Sequence, residues 1–383
     1  MTRAVAEERV LELDILRGFA LFGILIVNLN YAVGSARTAL DHTAQWLVKH
    51  LASEAFYSIF SFLFGAAFVL QMGRIASRSL RFESSYARRL VVLLIIGLFH
   101  MTFLWWGDIV HLYAILGFLL LLFRNRSPRA LLLAALACWA FSVAEQPLLR
   151  ALHVGQLQVV SEHTAERLVS DLKNAYIRGS YATVVIARMR WIPVHETGVL
   201  ADGMVPNVFA FFLFGAFAAR RLLPVQEHTP VIRRALMLST VVAAAAGALR
   251  GIGLNTALVF KPALSVCYAA AVVLVVQHPT WRRRLGSLAS AGRMALTNYI
   301  LQSAMFTMLL YDYGFGQYRR IRPAAGIACA VTFYVLQLAA SHWWLARFRQ
   351  GPLEWVWRAL SYPRTASSCL AGARAARRQA GGS

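Results

Sequence analysis

Leu13-Asp14-Ile15-Leu16-Arg17-Gly18 opens an apolar run that continues to Asn28, and no further charge occurs before Arg37. A helix crosses the hydrocarbon of a bilayer with roughly 20 such residues, so this stretch reads as a transmembrane span. Asp14 and Arg17 stand three apart, which puts them on one helix face where their charges can pair. Charge at the mouth of a membrane helix is costly to bury, and a pair kept there points to a function.

Working outward, nine more apolar runs follow. The expected spans are 15–33, 55–73, 89–106, 109–123, 130–149, 204–220, 235–250, 260–277, 295–312 and 324–345. The 383 residues are 58% hydrophobic and only 15% charged, below the roughly 25% of soluble domains. The expected fold is therefore all-α, a polytopic integral membrane bundle of about ten transmembrane helices. Its divisions are an N-terminal five-helix block (1–149), an extracytoplasmic amphipathic connector (150–203), a C-terminal five-helix block (204–362) and a disordered basic tail (363–383). The first run is too long for a cleavable signal peptide.

The net charge of +22 would suit nucleic acid, but its placement argues against that partner. Most of the basic residues fall on alternate loops, as in Arg88/Arg89, Arg124/Arg126/Arg129, Arg220/Arg221 and Arg282/Arg283/Arg284. That is the positive-inside pattern, and it sets both termini on the cytoplasmic side, with anionic membrane lipids as partners. Arg319, Arg320 and Arg322 break the pattern, and their loop is expected outside, facing something anionic. Arg88 and Arg89 read as snorkelling side chains. Cys138, Cys267, Cys329 and Cys369 are scattered, without metal or disulfide spacing, so no metal is expected. P-loop, GxGxxG, HExxH and GxSxG patterns are absent, which removes support for the usual nucleotide, zinc and serine-hydrolase chemistries.

Two clusters carry candidate chemistry. In Gly97-Leu98-Phe99-His100 and Trp105-Trp106-Gly107-Asp108-Ile109-Val110-His111, His100 would lie about 12 Å below Asp108 on a continuous helix. Gly107 breaks that helix, Asp108 is placed to cap the next, and the tryptophans mark the outer interface. His100 with Asp108 is then a general-base pair in an outward cleft. His111 reads as merely interfacial. Asn28, Asn298 and Gln302 are polar residues inside spans; they either glue helices or line a path. Phe62-Leu63-Phe64-Gly65-Ala66 recurs as Phe212-Leu213-Phe214-Gly215-Ala216, with both copies running outside to inside; it reads either as a duplicated helix unit or as a coincidence of common membrane residues around a glycine that permits close packing.

These residues resemble the YeiB-like family of bacterial membrane proteins, a domain-of-unknown-function group. The resemblance is carried by Leu13 to Ala20 with Asn28, Phe60 to Gly65, Gly97 to His100, Gly107-Asp108-Ile109, Arg293 to Tyr299 and Gly351 to Arg358. The Asp-x-x-Arg-Gly pattern of the first span is also similar to that of heparan-α-glucosaminide N-acetyltransferases, which move an acetyl group from cytoplasmic acetyl-CoA to a sugar amine across the membrane. The resemblance implies a multi-pass protein of the bacterial inner membrane. It further implies acyl transfer from cytoplasmic acyl-CoA, acetyl-CoA foremost, to a hydroxyl or amine of an extracytoplasmic glycan or lipid. Arg17, paired with Asp14, and Arg293 would neutralise CoA phosphates. Asn28, Asn298 and Gln302 would position the acyl arm, and His100 with Asp108 would take the acceptor's proton. A carrier or exporter without covalent chemistry and a membrane scaffold stand as alternatives open on the sequence, and a homo-oligomer is a partner state it allows.

Overall fold

The computed structural model describes residues 3–53, 55–76, 82–151, 161–201, 203–223, 225–254 and 256–361. The expected tail, 363–383, lies outside them. The described residues form helices joined by short turns and loops, without a strand. The first block holds α1 (Arg3–Asn30), α2 (Ala39–Leu47), α3 (Ala55–Ala76), α4 (Phe82–Phe103), α5 (Val110–Leu120) and α6 (Pro128–Ala151). The connector contains α7 (Glu162–Arg178) and α8 (Tyr181–Ala201). The second block holds α9 (Met204–Arg221), α10 (Thr229–Gly251), α11 (Ala257–Val276), α12 (Pro279–Arg284), α13 (Gly286–Arg293), α14 (Ala295–Leu310), α15 (Pro323–Arg347) and α16 (Pro352–Ser361).

Each of the ten expected spans falls on a helix, but fewer are long enough to cross a membrane. Among the described residues six qualify by length and composition, or up to seven if the pair Tyr181–Leu200 and Met204–Arg221, bent by 64°, counts as one. Two expected spans, in Val110–Phe123 and Ala295–Leu310, are shorter apolar helices. Sequence hydropathy counts apolar runs and cannot see where a helix stops: α5 begins only after the Gly107 break, and α14 is cut off from α13 at Met294.

Helix α1 is the axis of the bundle, packed on α3, α11, α13, α14 and α15. Its approach to α13 depends on two glycines: a methyl group on Gly18 would strike the Leu288 carbonyl, and one on Gly292 would strike that of Asp14. Tyr334 on α15 donates its hydroxyl hydrogen to the Gly18 carbonyl at 2.6 Å. The pentapeptide echo proves to be a contact surface. Gly65 packs on the Phe212 carbonyl of α9, and Gly215 packs on the Phe62 carbonyl of α3, so the two copies face each other. Asn207 adds a hydrogen bond to the Tyr57 hydroxyl at 3.0 Å, with the same 150-residue offset. The helices therefore run side by side in one direction, sealed by small residues as membrane helices commonly are.

The loop of Arg319, Arg320 and Arg322 is folded against the end of α1. Arg319 donates its amide to Ala32, Gly34 donates to Ile321, and the Arg322 guanidinium lies 4.0 Å from Asp41.

Candidate functional site

Arg17 donates to Asp14 at 2.6 Å, forming the ion pair expected from their spacing. The pair stands beside a cavity of about 310 Å³ whose wall carries Arg17, Arg89, Arg293, Glu354 and Trp357. Arg89 is held there with its guanidinium 4.2 Å from the centre of the Trp357 ring, while the Trp357 indole donates to the Arg89 carbonyl at 2.8 Å. Glu354 spends its carboxylate on the start of α14, accepting the amides of Leu296 (2.8 Å) and Thr297 (3.0 Å) and the Thr297 hydroxyl (2.6 Å). Those amides have no partner within their own helix, so α16 caps α14 as it closes the cavity. With Arg17 paired to Asp14 and Glu354 committed to α14, the three arginines still outnumber the two carboxylates, so the mouth carries an excess of positive charge.

A second cavity, of about 380 Å³, lies at the other end and is lined by Asn28, Asp108, His111, His195, Glu196 and Asn207, among others. Ile24, Ile109 and Tyr299 belong to the walls of both cavities and form the partition between them. Asn28 faces this second cavity, on the far side of the partition from Arg17.

Asp108 organises the polar side of the partition. The helix that was expected to continue from His100 turns after Phe103, and His100 and Asp108 are bonded directly, Nδ1 to Oδ1 at 2.8 Å. Gly97 permits this fold-back, since any side chain there would strike the backbone of His111. The other oxygen of Asp108 accepts the backbone N–H of His111 at 2.8 Å and its ring Nδ1 at 2.9 Å. The Tyr299 hydroxyl donates to Oδ1 at 3.4 Å. On its far nitrogen His111 meets Glu196 Oε2 at 3.2 Å, and Glu196 Oε1 has no protein partner.

His100 is fully buried and lines neither cavity. Its Nε2 accepts the Ser303 hydroxyl hydrogen at 2.7 Å, completing a Ser–His–Asp chain that resembles a nucleophile's activating relay but is closed off behind Asp108. Asn298 and Gln302 also line neither cavity. Gln302 donates to Gln337 at 2.9 Å, Asn298 donates to Ser341 at 2.9 Å, and Gln337 returns a bond to the Asn298 carbonyl at 3.0 Å. Together they join α14 to α15, as polar residues between membrane helices do.

Three residues of the two walls were read otherwise from the sequence. His111 was read as interfacial, yet of the two histidines bonded to Asp108 it is the one that lines the cavity, where His195 also stands; the i, i+3 spacing from Asp108 was its only signal. Arg89 was read as a snorkelling residue. Glu196 lies on α8 in the connector, where nothing local distinguishes it from its charged neighbours.

Comparison with known proteins places most residues of the two walls in two matched regions, with His195, Glu196 and Asn207 between them. The catalytic-domain model of heparan-alpha-glucosaminide N-acetyltransferase matches residues 9–166, which include Arg17, Arg89, Asp108 and His111. A model described as a protein of unknown function, DUF418, matches residues 217–364, which include Arg293, Tyr299 and Glu354. The uncharacterized protein YxaH of Bacillus subtilis is 33% identical, over 94% of this chain and 95% of its own. An uncharacterized 39.9 kDa protein of Bacillus acidopullulyticus is 32% identical, over 94% and 95%. Escherichia coli YeiB is 26% identical, over 92% and 96%. With its glycine-sealed helical bundle and this end-to-end similarity, the chain belongs to the DUF418 family of YeiB-type multi-pass membrane proteins.

Proposed function

We propose that the protein transfers an acyl group from a cytoplasmic acyl-CoA, with acetyl-CoA as the first candidate, to a hydroxyl or amine on the other side of a bacterial inner membrane. The observation that carries this reading is the pair of cavities set back to back on Tyr299, one basic and one lined by histidine and carboxylate. The similarity of residues 9–166 to an N-acetyltransferase catalytic domain supports it. In this reading the Arg17 end and both termini are cytoplasmic, and α5 and α14 join the longer helices within the membrane to give ten embedded segments.

The inner cavity is at the small end of the range for ligand sites, so it suits the narrow acyl-pantetheine arm and leaves the nucleotide at the mouth. There Arg17, Arg89 and Arg293 offer guanidinium forks to phosphate. The thioester reaches the partition at Tyr299, and the acceptor enters from the outer cavity. The acceptor oxygen or nitrogen attacks the thioester carbon, and the carbon–sulfur bond breaks. The CoA sulfur leaves on the inner side and is protonated there by water. The acceptor's proton passes to the Glu196–His111 pair, whose ring is oriented by Asp108 on Nδ1. Asn28, on the outer wall, is the side chain available to polarise the carbonyl. His100 takes no part in proton transfer; with Ser303 it holds Asp108 from behind.

The test uses the full chain in nanodiscs with acetyl-CoA, measuring binding by calorimetry and bond cleavage by release of free CoA thiol. The expected result is saturable binding and slow thiol release with water as acceptor. Arg17→Ala should lose affinity equivalent to about 1.5–3 kcal/mol, the worth of a charge-assisted hydrogen bond. Glu196→Gln should bind normally and release no thiol. A wild-type protein that binds no acetyl-CoA rejects the reading. Binding with no cleavage by any variant points to a carrier instead.

A further inference from the structure

The wall of the inner cavity has one polar group whose role the arginines do not explain. Gln71, on α3, faces the cavity, and its buried Oε1 makes no hydrogen bond. Other polar groups of the same wall are committed to the protein. Tyr113 donates to the Tyr57 carbonyl at 2.9 Å, Tyr299 donates to Asp108, and Glu354 is spent on α14. The same wall also carries apolar Leu63, Phe64, Phe68 and Leu90, with Tyr86 packed edge-on against Phe68. A buried amide oxygen without a partner costs free energy unless a ligand supplies the missing hydrogen.

We propose that Gln71 is a binding residue for a secondary amide of the substrate, which makes the inner cavity selective for donors whose thioester is carried on an amide-bearing arm. The inference rests on the acyl-CoA reading given above and adds to it which part of the donor the protein recognises inside the membrane. A secondary amide presents one N–H and one carbonyl. It therefore satisfies Gln71 whichever way the side-chain amide is turned, since its oxygen and nitrogen exchange places by a half-rotation. A simple alkyl thioester offers no N–H and would leave Oε1 unpaired. The arginines recognise charge at the mouth, whereas Gln71 distinguishes the arm from a fatty chain of equal width.

The experiment titrates the full chain in nanodiscs with two probes, acetyl-CoA and adenosine 3′,5′-bisphosphate, which keeps nucleotide phosphates but has no arm. Gln71→Leu should weaken acetyl-CoA about three- to tenfold, the value of one net hydrogen bond, and leave the bisphosphate unchanged. Gln71→Met, of nearly the same length, repeats the measurement should the leucine variant fold poorly. Equal weakening of both probes, or of neither, overturns the assignment while leaving the acyl-CoA reading in place. A wild-type chain that binds neither probe overturns both.

Discussion

Asp108 gathers the rings of His100 and His111 onto one carboxylate, one ring to each oxygen, and the two histidines differ in what lies behind them. His100 ends on Ser303 inside the bundle, whereas His111 ends on Glu196 at the cavity. A group that exchanges protons with a substrate must reach it, so in the proposed reaction the proton goes to the Glu196–His111 pair rather than to His100. His111→Gln should lower turnover by roughly 10²–10⁴ and leave acetyl-CoA affinity unchanged, measured as thiol release against calorimetric binding. His100→Ala should show itself in stability, because it removes a charge-assisted bond from a buried carboxylate worth about 1.5–3 kcal/mol. A thermal melt of the His100 variant that matches wild type, together with lost turnover, would return the catalytic role to His100. Both histidines are visible in the sequence as ionisable residues near one aspartate. Which of them faces a cavity is not, because the turn after Phe103 brings His100 beside Asp108 where a continuous helix would hold them about 12 Å apart.

At the scale of elements, the closest approaches are made through glycine. Gly65 and Gly215 each rest on a carbonyl of the other's helix, so a single methyl group forces α3 and α9 apart. Gly65→Ala should lower the melting temperature and the yield of folded protein. Adding Gly215→Ala should cost less than the sum of the two, since the first substitution already separates the pair. A strictly additive pair would mean that the helices do not share this contact. The repeated pentapeptide was legible only as an echo with a glycine that permits close packing; that its two copies are partners in one contact was not, because α4 to α8 intervene along the chain.

For the whole molecule, the partition at Tyr299 is what keeps the two cavities separate. Tyr299→Ala should widen the path between them, and in nanodiscs without acceptor it should raise the release of CoA thiol above the slow wild-type rate, because more water then reaches the thioester from the outer side. An unchanged rate would show that the cavities are closed from each other by something besides this ring. Orientation has its own measurement. A membrane-impermeant thiol reagent should label Ser161→Cys, at the start of α7, from the extracytoplasmic side only. Labelling from the cytoplasmic side alone would invert the topology, and with it the direction of transfer.

Composition and apolar run length determined by themselves that this chain is a helical membrane protein, because burying apolar surface in lipid and satisfying backbone hydrogen bonds within each segment are local requirements. The Asp14–Arg17 pair was determined in the same way, since both residues lie on one turn of helix. Tertiary structure alone decided the rest. It decided where α5 and α14 stop short, that Asn298 and Gln302 bond to α15, that Arg89 sits under Trp357, and that Glu196 arrives at His111 from 85 residues away. These depend on contacts between helices distant in sequence, and helical periodicity specifies a face but not the partner that covers it.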